Sequence, residues 1–213
     1  QGMKKMAIFF IFVHSCCWAF LAQITNDFAN SYISSFGSIP EYAGTFGVQH
    51  ANILISLSQN TETLCILLIP FFLKRFGIKQ VMLIAMLAWV LRFGLFGMGN
   101  PGSGVWMFVL SMIVYGVAFD FFNNPVSLFV DRETDRGIRS SAQGLFVIMT
   151  NGFGATIGTL GAQAVVNHFR FQQQCPQIAQ WQSAWYVFAI YALTVAVVFA
   201  IVFKYKHHPE DLK

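Results

Sequence analysis

Four charged side chains sit inside stretches otherwise apolar enough for a lipid bilayer: Asp27, Glu62, Arg92 and Asp120. A charge at bilayer depth costs several kcal/mol (roughly 2.5–3.5 on insertion scales) unless it faces a cavity or a partner, so each marks a candidate site. Glu62 belongs to the run Ser56-Leu57-Ser58-Gln59-Asn60-Thr61-Glu62-Thr63, where Gln59 and Glu62 stand three residues apart and share a helix face. That face offers donors and acceptors where hydrocarbon offers none; the plain alternative is a hydrogen-bond clamp between helices. Gln23 and Asn26 are also three apart, and Asp27 and Asn30 extend the same polar patch. Amides of this kind suit a hydroxyl-bearing ligand, because each both donates and accepts.

Asp120 lies in Tyr115-Gly116-Val117-Ala118-Phe119-Asp120-Phe121-Phe122-Asn123-Asn124-Pro125. Tyr115, Phe119 and Asn123 recur every four residues and so line one helix face. Two rings and an amide on one face can stack a flat ring and bind its edge. Pro125 is expected to loosen this helix locally. Arg92 needs an acid or an interface to reach. Glycines 144, 152, 154, 158 and 161 read as a packing strip, and His14 and His50 as packing or interface residues. Cys16, Cys17, Cys65 and Cys175 have no metal-ligand spacing and read as small apolar packers; no metal and no cofactor is expected.

The elements that must position these groups follow from composition. Of 213 residues, 56% are hydrophobic and only 10% charged, against about 25% charged in ordinary soluble domains. That excludes a water-soluble core and points to lipid as solvent. A spanning helix needs about 20 mostly apolar residues. Six runs qualify, roughly 6–33, 46–73, 80–99, 103–130, 140–166 and 183–203, separated by Gly/Pro turns, the charged run 131–139 and the polar stretch 171–182. The expected fold is therefore an all-α membrane protein of six transmembrane helices filling residues 1–213, with no extramembrane domain.

Alternate loops differ sharply in basic residues. One set holds Lys4, Lys5, Lys74, Arg75, Lys79, Arg132, Arg136, Arg139, Lys204, Lys206 and Lys213, and the other holds Arg170. By the positive-inside rule both termini are expected in the cytoplasm. The net charge of +4 is thus spent on loops between apolar runs, which argues against nucleic acid as a partner. The start Gln1-Gly2-Met3-Lys4 reads as an excised portion of a longer chain.

Pro70-Phe71-Phe72-Leu73-Lys74-Arg75-Phe76-Gly77-Ile78-Lys79 resembles the loop motif of the major facilitator superfamily, with Pro70 for its usual Gly and Lys74 for its usual Asp. Ala22 to Asn26, Ser58 to Thr63, Tyr115 to Asn123, Gln143 to Phe146 and Thr150 to Gly154 resemble the nucleoside:proton symporter family within it. The likeness runs along nearly the whole chain but covers that family's second half. It implies one half of a carrier built as a 3+3 inverted repeat, which couples inward proton flow to nucleoside uptake across the bacterial cytoplasmic membrane by alternating access. Its implied partners are the nucleoside, protons, membrane lipid and an N-terminal six-helix half.

By the same resemblance, Gln23, Asn26, Gln59 and Glu62 contact the ribose or nearby polar atoms. Tyr115 and Phe119 pack on the nucleoside, and Asp120 is a carboxylate needed for transport. A carboxylate held in hydrocarbon can take a proton from one side and release it when water or a neighbouring group changes; Glu62 and Asp120 are the candidates. Alternatives are a carrier of another sugar-bearing molecule and a non-transporting membrane assembly protein. Not an enzyme is the expectation, since no serine inside a span has the Gly-x-Ser-x context of an intramembrane protease. One Asn124-Pro125-Val126 without a second copy argues against an aquaporin-type channel.

Overall fold

The computed structural model describes residues 2–170 and 177–204, and among them every regular element is helical. The long helices are α1 (Gly2–Ser35), α4 (Ala51–Met98), α5 (Val105–Glu133), α7 (Ala155–Arg170) and α8 (Gln177–Val202). Two one-turn helices, α2 (Pro40–Ala43) and α3 (Phe46–Gln49), fill the link from α1 to α4, and α6 (Arg139–Val147) runs into α7 through a π-helical segment, Ile148–Gly154. Five helical stretches are long and apolar enough to cross a membrane. Outward-facing Leu67, Leu160, Ile190 and Ile201 give the bundle an apolar exterior.

The runs expected at 46–73 and 80–99 form the single 48-residue element α4, which begins only at Ala51 because His50 leaves the helical region at φ −128°, ψ 41°. A straight helix of that length would reach about 72 Å at 1.5 Å per residue, far beyond a hydrocarbon core of about 30 Å. It is not straight. Gly77 has φ 79°, ψ 168°, a region essentially confined to glycine that costs a side-chain-bearing residue on the order of 1–3 kcal/mol. The Thr61 hydroxyl donates to the Met112 carbonyl at 3.1 Å, and the Ser111 hydroxyl donates to the Arg92 carbonyl at 3.2 Å. Thr61 and Arg92 therefore meet the same turn of α5, with Gly77 midway between them in sequence. The limbs of α4 lie side by side, doubled back at that glycine.

Close packing of α5 on the first limb depends on Gly116, where an added Cβ would stand 2.6 Å from the Thr61 carbonyl oxygen. The expected glycine strip packs α1 only in part: position 154 of the π-helical segment and position 158 of α7 abut the α1 backbone at Cys16 and Phe20, and 161 abuts the Phe20 ring, whereas a Cβ added at Gly144 would meet nothing within 4 Å and one at Gly152 only the Ile148 side chain of its own segment. On the second limb, Phe96 and Trp185 of α8 stack with centroids 4.6 Å apart, and Tyr32 of α1 donates its hydroxyl to the Phe96 carbonyl at 2.9 Å. Pro125 is buried within α5, which continues as a helix on both sides of it.

Among the described residues, Lys79, Arg139 and Lys204 lie at one end of the bundle. Lys79 donates to the Ala200 carbonyl near the end of α8 at 3.1 Å, Phe129 of α5 meets Phe203 at 5.5 Å, and Arg139 pairs with Asp131 at 3.2 Å. At the opposite end, Asn100 accepts from the backbone N–H groups of Gly102 and Gly104, closing the turn into α5. Of the polar stretch expected at 171–182, residues 171–176 and Cys175 with them lie outside the described residues, while 177–182 begin α8.

Candidate substrate site

Between α1, both limbs of α4, and α5 lies a cavity of about 270 Å³. Helix periodicity explains its wall on the first limb: Ile55, Gln59 and Glu62 fall four and three residues apart and face the same way, with Ser58 beside them. α1 adds Thr25 and Asn26; the second limb adds Arg92 and α5 adds Tyr115. Asn26 donates its amide N–H to the Gln23 amide oxygen at 3.2 Å, so Gln23 stands behind the lining and orients it.

Arg92 is 1% exposed, yet no carboxylate pairs with it directly among the described residues. Its guanidinium carbon lies 4.6 Å from the Tyr115 ring centroid and 5.2 Å from that of Phe96. It also donates to the Ser111 carbonyl and, at 3.4 Å, to the Thr25 hydroxyl. A desolvated cation over an aromatic face gains on the order of 2 kcal/mol, which offsets part of its burial. The result is a buried positive charge that lines the same cavity as Glu62.

Phe119 and Asp120 stand on the next turn of α5 and outside this lining. Phe119 stacks on Tyr115 with centroids 5.7 Å apart and planes 20° off parallel, and Trp18 of α1 leans on it at 5.2 Å. Asp120 is buried, and its Oδ2 has no hydrogen-bond partner among the described residues. The carboxylates of Asp120 and Glu62 are near enough to act on one another electrostatically. Of the residues singled out from sequence, Asn26, Gln59, Glu62 and Tyr115 meet in the cavity, while Gln23, Phe119 and Asp120 adjoin it.

Thr25, Ser58 and the role of Arg92 were not anticipated. Thr25 neighbours Asn26 and Ser58 precedes Glu62 by one turn, so helix spacing carried a signal for both; the partners of Arg92 come from two other helices and left none. Asp27 accepts a hydrogen bond from the Thr159 hydroxyl at 2.8 Å, which ties α1 to α7. His14 is buried among Phe10, Phe122 and Phe199, and His50 sits on Phe46. Cys16, Cys17 and Cys65 are free thiols.

Apolar helices around a shared set of amides, hydroxyls, an acid and a buried cation define a multi-pass membrane protein with a polar site between its helices. The chain belongs to the nucleoside H+ symporter family, whose model matches residues 2–208. It is 50% identical over 210 residues to the xanthosine permease of Escherichia coli strain K12, covering 98% of this chain and 49% of the relative. It is also 50% identical over 205 residues to the nucleoside permease NupG of the same strain, covering 96% of this chain and 48% of that one. A crystal structure of the nucleoside transporter NupG superposes with a TM-score of 0.87 at 47% identity, over 96% of this chain and 50% of that one. The chain thus spans about half the length of the curated relatives it matches, and those relatives are permeases rather than enzymes.

Proposed function

We propose that this chain is the C-terminal, six-crossing half of a proton-coupled nucleoside carrier of the bacterial cytoplasmic membrane, with both termini in the cytoplasm. The observation that carries the reading is the convergence of Asn26, Gln59, Glu62, Arg92 and Tyr115 on one cavity, in a chain half identical to nucleoside permeases. Support for six crossings comes from the fold-back of α4 at Gly77, which supplies two antiparallel limbs. Three helices before the α4–α5 turn and three after it fit a 3+3 inverted repeat. The collection of basic residues at one end supports the orientation.

In this mechanism Asn26, Gln59 and Glu62 hydrogen-bond the ribose hydroxyls, and Gln23 holds Asn26 in place. Tyr115, backed by Phe119, packs on the base. The fixed guanidinium of Arg92 balances negative charge in the site, so entry of a proton onto Glu62 or Asp120 changes its net charge at the moment of loading. A companion half closes the other side, and rocking of the two halves exposes the site to each face of the membrane in turn.

Glu62→Gln and Asp120→Asn, each in the full-length carrier, test the coupling. Uptake of tritiated uridine or adenosine into vesicles with an imposed pH gradient should lose its dependence on that gradient in at least one variant. Uptake that follows the gradient in both removes these acids as the coupling site. Competition by ribose-free solutes and by other sugars separates a nucleoside carrier from a carrier of another sugar-bearing molecule.

A further inference from the structure

A second cavity, of about 300 Å³, lies closer to the basic end and shares no lining residue with the first. One face of α5 joins the two. Tyr115 lines the first cavity, and Phe119, Asn123 and Ser127, at successive steps of four residues, line the second. Twelve residues at 1.5 Å each carry this strip about 18 Å along the bundle. Ser127 stands one turn before Asp131 and Gln143 one turn after Arg139, so the second cavity ends one helical turn short of the ion-paired basic end.

Its chemistry is that of a flat, hydrogen-bonding ligand. Phe119 and Trp18 form an aromatic wall, their rings 5.2 Å apart. Facing them are carboxamides from three elements: Asn123 and Asn124 on α5, Gln143 on α6, and Asn151 on the π-helical segment. Some of this capacity is already used. Gln143 accepts from the Ser127 hydroxyl at 3.1 Å and donates to the Ser127 carbonyl at 2.8 Å, and Asn124 donates to the Asp120 carbonyl at 3.2 Å. The carboxamides of Asn123 and Asn151 make no hydrogen bond among the described residues. A carboxamide presents an adjacent donor and acceptor, the pattern that matches the edge of a nucleobase.

The π-helical segment is what delivers Asn151. Helices widened in this way are uncommon and concentrate at functional sites. Here the segment is anchored on α1, since the Cys16 thiol donates to the Met149 carbonyl at 3.0 Å and an added Cβ at residue 154 would meet Ala19 at 2.7 Å. Thr150 turns its hydroxyl back onto the Phe146 carbonyl at 2.9 Å, which leaves its neighbour Asn151 as the group available to a ligand.

We propose that this second cavity is a transit site for the nucleobase on the basic-loop side of the carrier, in which Phe119 stacks the base and Asn123 and Asn151 bind its edge after the nucleoside leaves the first cavity. The inference rests on the nucleoside-carrier reading above. The Phe119 ring links the two cavities: it lines the second beside Trp18 and stacks on Tyr115, which lines the first.

The test is the double variant Asn123→Leu/Asn151→Leu in the full-length carrier, with Asn151→Ala alone as a second variant at an exposed position. Equilibrium binding of tritiated uridine and adenosine to purified protein, and proton-driven uptake at saturating nucleoside, are measured side by side. Binding capacity and Kd should stay within twofold of wild type, which also reports the fold, while the saturating uptake rate falls about tenfold for the double variant and less for Asn151→Ala. Replacing both asparagines by glutamine, which keeps the carboxamides, should restore part of the rate. An uptake rate within twofold of wild type for both variants overturns the transit site and leaves the carrier reading intact, as does a Kd that rises in step with the loss of rate. Wild-type protein that binds neither nucleoside overturns the carrier reading and the transit site with it.

Discussion

At Arg92 the buried cation is held by two aromatic faces, a carbonyl and a hydroxyl rather than by a direct ion pair. Guanidinium is suited to this because it is planar, stacks on rings and donates in a fork, whereas a lysine ammonium is a strongly hydrated point charge. Arg92→Lys keeps the charge but loses the stack and the fork. Nucleoside affinity of the full-length carrier is therefore expected to fall about tenfold, with the rank order of nucleosides preserved; titration calorimetry checks this, and an unchanged Kd would show that the geometry around Tyr115 has no part in binding. The candidate polar residues were legible in sequence because charges and amides in apolar runs declare themselves and helix spacing groups them. What spacing could not supply was the partnership between helices: Arg92 meets Thr25 from α1 and Ser111 from α5, contacts set by packing. Asp120 illustrates the same limit. Its type marked it as unusual, but only the fold puts it behind the lining, with an unpartnered oxygen near Glu62.

Helix elements were legible where apolar length alone decides. Less so was their grouping. Residues 74–79, read in sequence as a separator, do part the two runs, but by the single non-helical residue Gly77 at φ 79°, ψ 168° rather than by a loop. Run 140–166 gave no sign of the π-helical stretch, since a one-residue widening of the helix leaves the apolar pattern intact. Pro125 lies inside α5, where it has no N–H to give the Phe121 carbonyl, and the helix runs on past it. Where α5 crosses the first limb, Gly116 fixes the distance between Tyr115 and Glu62, so it controls the site without lining it. Gly116→Val should cost on the order of 1–3 kcal/mol in stability, the range for forcing side-chain volume into a packed contact. It should also weaken nucleoside binding more than Val117→Ala one position away. A melting temperature and Kd equal to wild type for Gly116→Val would mean the α4–α5 contact has slack that the 2.6 Å approach excludes.

For the whole molecule, the family likeness and the half-length match to its relatives carry one consequence. A cavity with its polar wall on α1, α4 and α5 has one side supplied by this chain, and alternating access needs a second body to close the other. Reconstituted alone, the chain should give no saturable nucleoside uptake in proteoliposomes, whereas co-reconstitution with the companion half should; saturable, proton-driven uptake by the chain alone would defeat the half-carrier account. The all-helical membrane class was legible from composition, because it is a property of solvent rather than of packing. The shared cavity was not legible from composition, since it depends on how tightly helices approach one another.

The most direct measurement is equilibrium binding of tritiated uridine and adenosine to the purified full-length carrier, comparing wild type with Gln59→Leu and with Asn26→Leu. Both positions face the polar cavity and neither is part of the core. Each substitution should raise Kd at least tenfold while binding of a control lipid and the melting temperature stay at wild-type values. Wild-type affinity for both nucleosides in both variants would contradict the claim that these amides hold the substrate.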